Sequence, residues 1–174
     1  MRIISGTHKG RKINIPRNFN SRPTTDKAKE ALFNIIENRY FLHNKNMLDL
    51  FSGTGSISFE FTSRGGKESI AIDNNTNSIA SINKNAIKFN LNINAIKSES
   101  LTYLKNNQEQ FNFVFADPPY LYQKYQQLKE SKFTNNIVKK DGLLIIEHDY
   151  RTIFEEENVE TRKYGTVHFS LFSF

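Results

Sequence analysis

A chain of 174 residues, 37% hydrophobic and 24% charged, suits one domain with its own core. It has no apolar run near the roughly 20 residues of a membrane helix, and the start Met1-Arg2-Ile3-Ile4-Ser5-Gly6 carries no secretory h-region. The lack of cysteine excludes disulfides, cysteine zinc sites and a thiol nucleophile, and the four histidines (His8, His43, His148, His168) are too scattered to suggest a metal. The composition reads as that of a cytosolic protein, and a monomer is expected. The net charge of +6 is unevenly spread: residues 1–30 hold eight basic and two acidic residues, and the other 144 hold sixteen of each. Such a cluster suits contact with a polyanion, with Arg2, Lys9, Arg11, Lys12 and Arg22 as the candidate contacts.

In chain order, residues 1–20 read as extended, with Arg2-Ile3-Ile4 and Lys12-Ile13-Asn14-Ile15 flanking Gly6 and Gly10, a hairpin with a basic loop. Arg22-Pro23-Thr24-Thr25-Asp26 is a turn into a helix: proline disfavours helix before it, Thr25 can cap, and Asp26 suits the first turn. Ala28, Ala31, Leu32, Ile35 and Ile36 then form one apolar helical face. Strands and helices alternate from Met47: strand Met47–Phe51, helix Ile57–Ser63, strand Ser69–Asp73, helix Ser78–Asn90, a weak strand Ala95–Ser98, strand Phe111–Ala116, helix Tyr122–Val138 and strand Leu143–Glu147. Val159–Arg162 and Val167–Phe174 read as a closing hairpin around Gly165. The alternation predicts a mostly parallel sheet covered on both faces, with an antiparallel edge. The expected organisation is a single α/β domain, with residues 1–22 as a basic hairpin extension and 23–174 as the core.

Three elements carry chemistry. Leu48-Asp49-Leu50-Phe51-Ser52-Gly53-Thr54-Gly55 runs from a buried strand into a glycine turn that opens a helix, the first strand–helix junction, where nucleotide-like ligands bind. A dinucleotide fingerprint would place a third glycine where Ser58 stands. Asp73 ends the second strand, 20 residues after Gly53, where an acid can accept ribose hydroxyls; Asp also commonly ends strands as a turn residue. Glu99 is a further candidate cofactor contact, or a plain loop acid. The third element is Asp117-Pro118-Pro119-Tyr120, which spends two of the four prolines directly after Phe113-Val114-Phe115. Proline fixes the backbone and leaves its carbonyl available. Asp117 and the Pro118 carbonyl can accept the two N–H groups of an exocyclic base amine, whose lone pair is otherwise delocalised into the ring. Tyr120 offers a flat face to a base taken out of its stack.

On these residues the chain resembles the amino-group methyltransferases with an Asp-Pro-Pro-Tyr motif, and within them the bacterial 16S rRNA guanine-N2 methyltransferase family. The resemblance also covers Met1-Arg2-Ile3-Ile4 with Gly6, Gly10-Arg11-Lys12, Arg22-Pro23-Thr24-Thr25-Asp26 and Glu30-Ala31-Leu32-Phe33-Asn34. It implies a Rossmann-like, seven-stranded AdoMet-dependent fold, S-adenosyl-L-methionine as donor and a guanine of 16S rRNA, in the small ribosomal subunit or an assembly intermediate, as acceptor. It implies cofactor contacts at Asp49, Phe51, Gly53, Gly55 and Asp73, and catalysis around Asp117 and Tyr120. Against the family pattern, Ser5 replaces a glycine, Glu99 an aspartate, and Lys27 and Lys29 arginines, which loses bidentate phosphate geometry. Competing readings are a DNA amino-methyltransferase, for which the chain has little room to hold a target-recognition region, a non-catalytic RNA-binding protein, and a nicotinamide oxidoreductase, which Ser58 disfavours.

Overall fold

The computed structural model describes residues 1–15, 24–119, 125–129, 137–156 and 159–174. In chain order these form α1 (Asp26–Glu37), β1 (Asn46–Leu50), α2 (Ser56–Ser63), β2 (Glu68–Asp73), α3 (Thr76–Phe89), β3 (Ile93–Lys97), α4 (Ser100–Asn106), β4 (Phe111–Ala116), α5 (Tyr125–Lys129), β5 (Val138–His148), β6 (Val159–Tyr164) and β7 (Val167–Ser173). The sheet order is β3-β2-β1-β4-β5-β7-β6, parallel from β3 to β5 and antiparallel at β7 and β6. The expected mostly parallel sheet with an antiparallel terminal hairpin is therefore what forms.

Side-chain alternation divides the core. Met47, Phe113, Phe115, Leu143, Ile145 and Phe169 face α1 and α2, where Leu32, Phe33, Ile36 and Phe61 meet them. Leu48, Leu50, Val114, Ala116, Leu144 and Ile146 face the opposite side with Leu101 and Leu104 of α4 and Leu128 of α5. α3 lies on the α1–α2 side, packing Ile82, Ala86 and Phe89 on Ala71 and Ala95.

Thr25 caps α1 as expected, its side chain accepting from the Ala28 N–H. The buried face of α1 differs from the apolar reading, for Lys29 and Phe33 are buried while Ala31 and Ile35 are only partly so. α3 begins two residues before the expected Ser78, because Asn75 caps it by accepting from Asn77 and Ser78 N–H. α4 was not expected. Seven residues with only Leu101 and Leu104 as apolar anchors are too short for a helical period to stand out. Val138, expected to close a helix, instead opens β5. The strand continues through a bulge where the register shifts between Phe111 and Phe113, so its apolar run starts only at Leu143. The start of the expected helix at Tyr122 lies outside the described residues, as does residue 22 at the end of the hairpin extension.

The basic segment is not a free arm. Arg2 and Lys12 form an antiparallel bridge, and Ile3 and Ile13 are buried against Phe59 and Phe89. Its anchor is Glu60 in α2, fully buried. Glu60 accepts from the Ile4 N–H at 2.8 Å and the Ser5 N–H at 3.0 Å, and its carboxylate pairs with Lys29 at 3.5 Å and Arg64 at 2.8 Å. Lys29 also donates to the Arg2 carbonyl at 2.8 Å and Ser56 Oγ at 3.2 Å. Lys29 is thus an internal cation; burial lowers its pKa and Glu60 opposes the shift. Gly6 lies so close to α2 that a Cβ there would sit 1.8 Å from the Ser63 carbonyl oxygen. Removing one member of a buried, hydrogen-bonded ion pair costs about 3–5 kcal/mol. Glu60→Gln should therefore lose about that much stability in urea unfolding. A loss below about 1 kcal/mol would mean that the cluster is not what joins the N-terminal segment to the core.

Candidate functional site at the carboxyl edge of the sheet

From β1 the chain moves one way to β2 and β3, then returns to place β4 and β5 on the other side. The order reverses between β1 and β4, and ligands of such sheets bind in the crevice at that point, outside the carboxyl ends of the strands. Both motifs read from the sequence converge there. Leu50 pairs with Ala116, and the Asp117 N–H reaches the Leu50 carbonyl at 3.4 Å.

On the β1 side the turn is unusual backbone. Phe51, Gly53 and Gly55 all have positive φ, at 58°, 53° and 75°. For Phe51 this is a strained conformation, of the kind found at ligand-binding turns. At Gly55, the N-cap of α2, a Cβ would lie 2.9 Å from Ile82 and 3.1 Å from Phe59. Asp73 organises the turn from β2: its carboxylate accepts from the Gly53 N–H and the Asn75 N–H, both at 2.8 Å. Each carboxylate oxygen keeps acceptor capacity. The Ser52 hydroxyl is buried with no partner among the described residues. An unpaired buried hydroxyl beside a carboxylate and a helix start fits a polar ligand bearing ribose hydroxyls.

Two expected cofactor residues have other partners. Asp49 is 1% exposed and lies beneath the turn, accepting from Ser58 N–H at 3.2 Å and Ser58 Oγ at 2.6 Å. Ser58, where a dinucleotide site would have its third glycine, thus satisfies a buried carboxyl. Glu99 is the N-cap of α4, with Oε2 accepting from the Thr102 N–H at 2.7 Å.

On the β4 side Asp117 and Pro118 leave the strand with Pro118 buried. Tyr120, the fourth residue of that motif, lies outside the described residues. Sequence reading missed Glu147. It sits on β5 one position beyond Ile146, which pairs with Ala116; it points toward the start of α1, and its charge acts on Asp117. It is 4% exposed and accepts from Thr24 Oγ1 at 2.7 Å, which fixes the entry to α1 at the site. Its one signal in the sequence was an acid ending an otherwise apolar strand. Burial pushes the Asp49 and Glu147 carboxyls up to about 7, against the pull of their Ser58 and Thr24 hydrogen bonds. Asp117 is raised well above the carboxylate range, by burial first and then by Glu147 and Asp49.

The basic residues of the N-terminal segment reach the site at one end only. Arg2 bonds Asp26 at the start of α1 at 2.9 Å, and Met1 accepts from Thr54 of the glycine turn at 3.1 Å, so the open end of the hairpin borders the site. Its tip runs the other way. Thr7 bonds the Ser63 carbonyl at the far end of α2, and the Arg11 guanidinium lies over Phe89 at the far end of α3. Lys9, Arg11 and Lys12 are exposed, forming a strip along the molecule rather than a ring around the crevice. Arg22 lies outside the described residues. No group of three or more His, Cys, Asp or Glu suited to a metal occurs among the described residues, nor a helix long and apolar enough to cross a membrane.

A carboxyl raised in the folded state contributes stability that is full below its unfolded pKa and is lost as pH rises through its folded pKa. Stability should therefore fall between about pH 4 and 8. Asp49→Asn keeps an acceptor for Ser58 but cannot ionise. Urea unfolding at pH 5 and pH 8 should show a decline about 2–3 kcal/mol smaller in this variant than in the natural chain. Equal declines would mean that Asp49 ionises freely in the fold.

Residues 1–173 match the family model described as Conserved hypothetical protein 95. A Buchnera aphidicola protein named ribosomal RNA small subunit methyltransferase D is 32% identical over 150 residues, covering 86% of this chain and 76% of that one. A solved structure of a hypothetical protein of Thermus thermophilus has a TM-score of 0.88 at 22% identity, covering 100% of this chain and 99% of its own. The T. thermophilus 16S rRNA N2 G1207 methyltransferase, solved with AdoMet and guanosine, has a TM-score of 0.72 at 16% identity, covering 88% of this chain and 44% of its own. These two structural likenesses establish the fold.

Proposed function

The chain belongs to the Conserved hypothetical protein 95 family and is a relative of the ribosomal RNA small subunit methyltransferase D proteins, and from that premise we propose that it methylates the exocyclic N2 of a guanine in 16S rRNA, with AdoMet as donor. The observation that carries the reading is the placement of Asp117 and Pro118 across the β1–β4 crevice from the glycine turn. AdoMet supplies an electrophilic methyl when bound. Asp73 would accept hydrogen bonds from its ribose hydroxyls, and Ser52, Gly53 and Gly55 would hold the rest of the cofactor. Phe51 holds the turn in shape, Asp49 supports it from below, and Glu99 is assigned to the adenine side of the cofactor.

Asp117 and the Pro118 carbonyl accept the two N–H groups of the target amine, which aims its lone pair at the methyl. Tyr120 gives the flipped base a stacking surface, with a contribution of roughly 1–3 kcal/mol. In-line positioning of amine and methyl is the larger effect, up to about 7–11 kcal/mol. Arg2, Lys9, Arg11, Lys12 and Arg22 contact phosphates and orient the RNA without reading sequence. Selection of one guanine then falls to RNA shape. Small subunits or assembly intermediates should accordingly be better acceptors than naked 16S rRNA. A base-specific DNA enzyme would need recognition surface that the described residues do not add to the core fold.

Tritiated methyl transfer into naked 16S rRNA, small subunits and duplex DNA, followed by nucleoside analysis, tests the substrate. Label on guanine N2 of the RNA is expected; label on adenine or cytosine of DNA alone would overturn the assignment. In calorimetry Asp73→Ala should weaken AdoMet binding by about 1.5–3 kcal/mol, and unchanged affinity would remove Asp73 from the site. Asp117→Ala should abolish turnover with AdoMet affinity within a few fold, whereas turnover near the natural level would remove it from the chemistry. Neutralising Arg11 and Lys12 together should lower RNA affinity and flatten its salt dependence with AdoMet binding unchanged, and an unaltered salt slope would take the strip out of the RNA path.

A further inference from the structure

We propose that Asp117 and Glu147 hold one proton between them, so that Glu147 sets the ionisation of the carboxyl that receives the target amine. The proposal rests on the reading of Asp117 given above and adds a positioning residue to it. β4 and β5 are parallel with Ala116 opposite Ile146, the last pair of the register, so Asp117 and Glu147 follow it at the ends of neighbouring strands, near enough for Glu147 to act on the Asp117 carboxyl. Glu147 is buried and Asp117 half-buried, and two like charges held this near one another cannot both ionise cheaply. Thr24 donates to Glu147 Oε2 at 2.7 Å, which favours the charge on Glu147 and leaves the proton with Asp117. The raised ionisation of both groups agrees with this.

Among the described residues, few groups surround the pair. From β1, Asp49 adds negative charge near Asp117. From α5, Tyr125 stays neutral, its hydroxyl pushed up to about 12 by burial and then by Asp117, Asp149 and Glu147. From β7 the residue opposite Glu147 is the uncharged Phe169. His148, next on β5, is turned to Ser170 and to the Asp149 carbonyl. Among these described groups no cation faces the pair.

The consequence is a requirement on the reaction. Asp117 accepts an amine N–H only when its own proton has left. As the N–C bond forms and the C–S bond of the donor breaks, the amine releases one proton, and the ionised carboxyl pair has the capacity to take it up. Methyl transfer should therefore rise with pH along a limb set by the pair.

The test is a carbon-13 NMR titration of the side-chain carboxyls in the full chain, without cofactor or RNA, alongside the pH profile of single-turnover methyl transfer. In the natural chain Asp117 and Glu147 should titrate in two linked steps. Glu147→Gln, of the same shape, should move the Asp117 midpoint and the rising limb of the rate down together by about one pH unit or more. Thr24→Val, which keeps both carboxyls, should move the Glu147 midpoint up. Independent single-step titrations in the natural chain, or an Asp117 midpoint unmoved in Glu147→Gln, would overturn the proposal. Because the titration uses protein alone, that failure is distinct from failure of the methyltransferase reading, which would leave linked titrations but no transfer to RNA.

Discussion

The buried carboxylate of Glu60 is the constraint on which the arrangement depends. The N-terminal segment is too polar to fold by burial, since Ile3 and Ile13 are its only fully buried apolar residues among those described. A carboxylate in a dry interior must satisfy its lone pairs, and Glu60 does so with two backbone N–H groups of the segment, one lysine of α1 and one arginine just past the end of its own helix. The same group therefore fixes three pieces of chain. It holds the basic strip along α2 and α3, and through Lys29 it sets where α1 lies. Thr24, just before α1, can then reach Glu147 at the carboxyl edge.

Charge is consequently separated by location. Positive charge from the N-terminal segment lies exposed along the helical face, while Asp49, Asp117 and Glu147 come near one another toward the carboxyl end of the sheet. The first distribution suits a long polyanion, whose attraction needs no fixed geometry. The second suits a small, enclosed reaction in which acceptors must be placed to fractions of an ångström. Strand parity explains part of the convergence: Asp49 and Glu147 continue the alternation that points Met47 and Ile145 toward α1 and α2, and Asp117 follows directly on β4 between their strands.

What was legible in the sequence was whatever one strand or one turn specifies by itself. Apolar runs at Met47–Leu50 and Phe111–Ala116, glycines at 53 and 55, and two successive prolines after Asp117 define local conformations, and the parallel order follows from their alternation with helices. What was not legible depends on partners distant in sequence. Lys29 looks like a surface cation until Glu60, in another helix, is placed beneath it. Glu147 looks like a strand-end acid until β5 is set beside β4. Glu99 caps a helix of seven residues that has too little periodicity to announce itself. The basic segment is visible as a charge cluster, but its course away from the crevice comes from contacts to Ser63 and Phe89.

The central claim, that this fold presents a guanine amine of small-subunit rRNA to a methyl donor, is tested most directly in the cell. Nucleosides of 16S rRNA from a strain lacking this protein can be quantified by mass spectrometry against the parent strain. The account predicts the loss of one N2-methylguanosine per 16S rRNA molecule, restored by the natural gene and not by the Asp117→Ala variant. An unchanged N2-methylguanosine content, with a methylated adenine or cytosine lost instead, would contradict it.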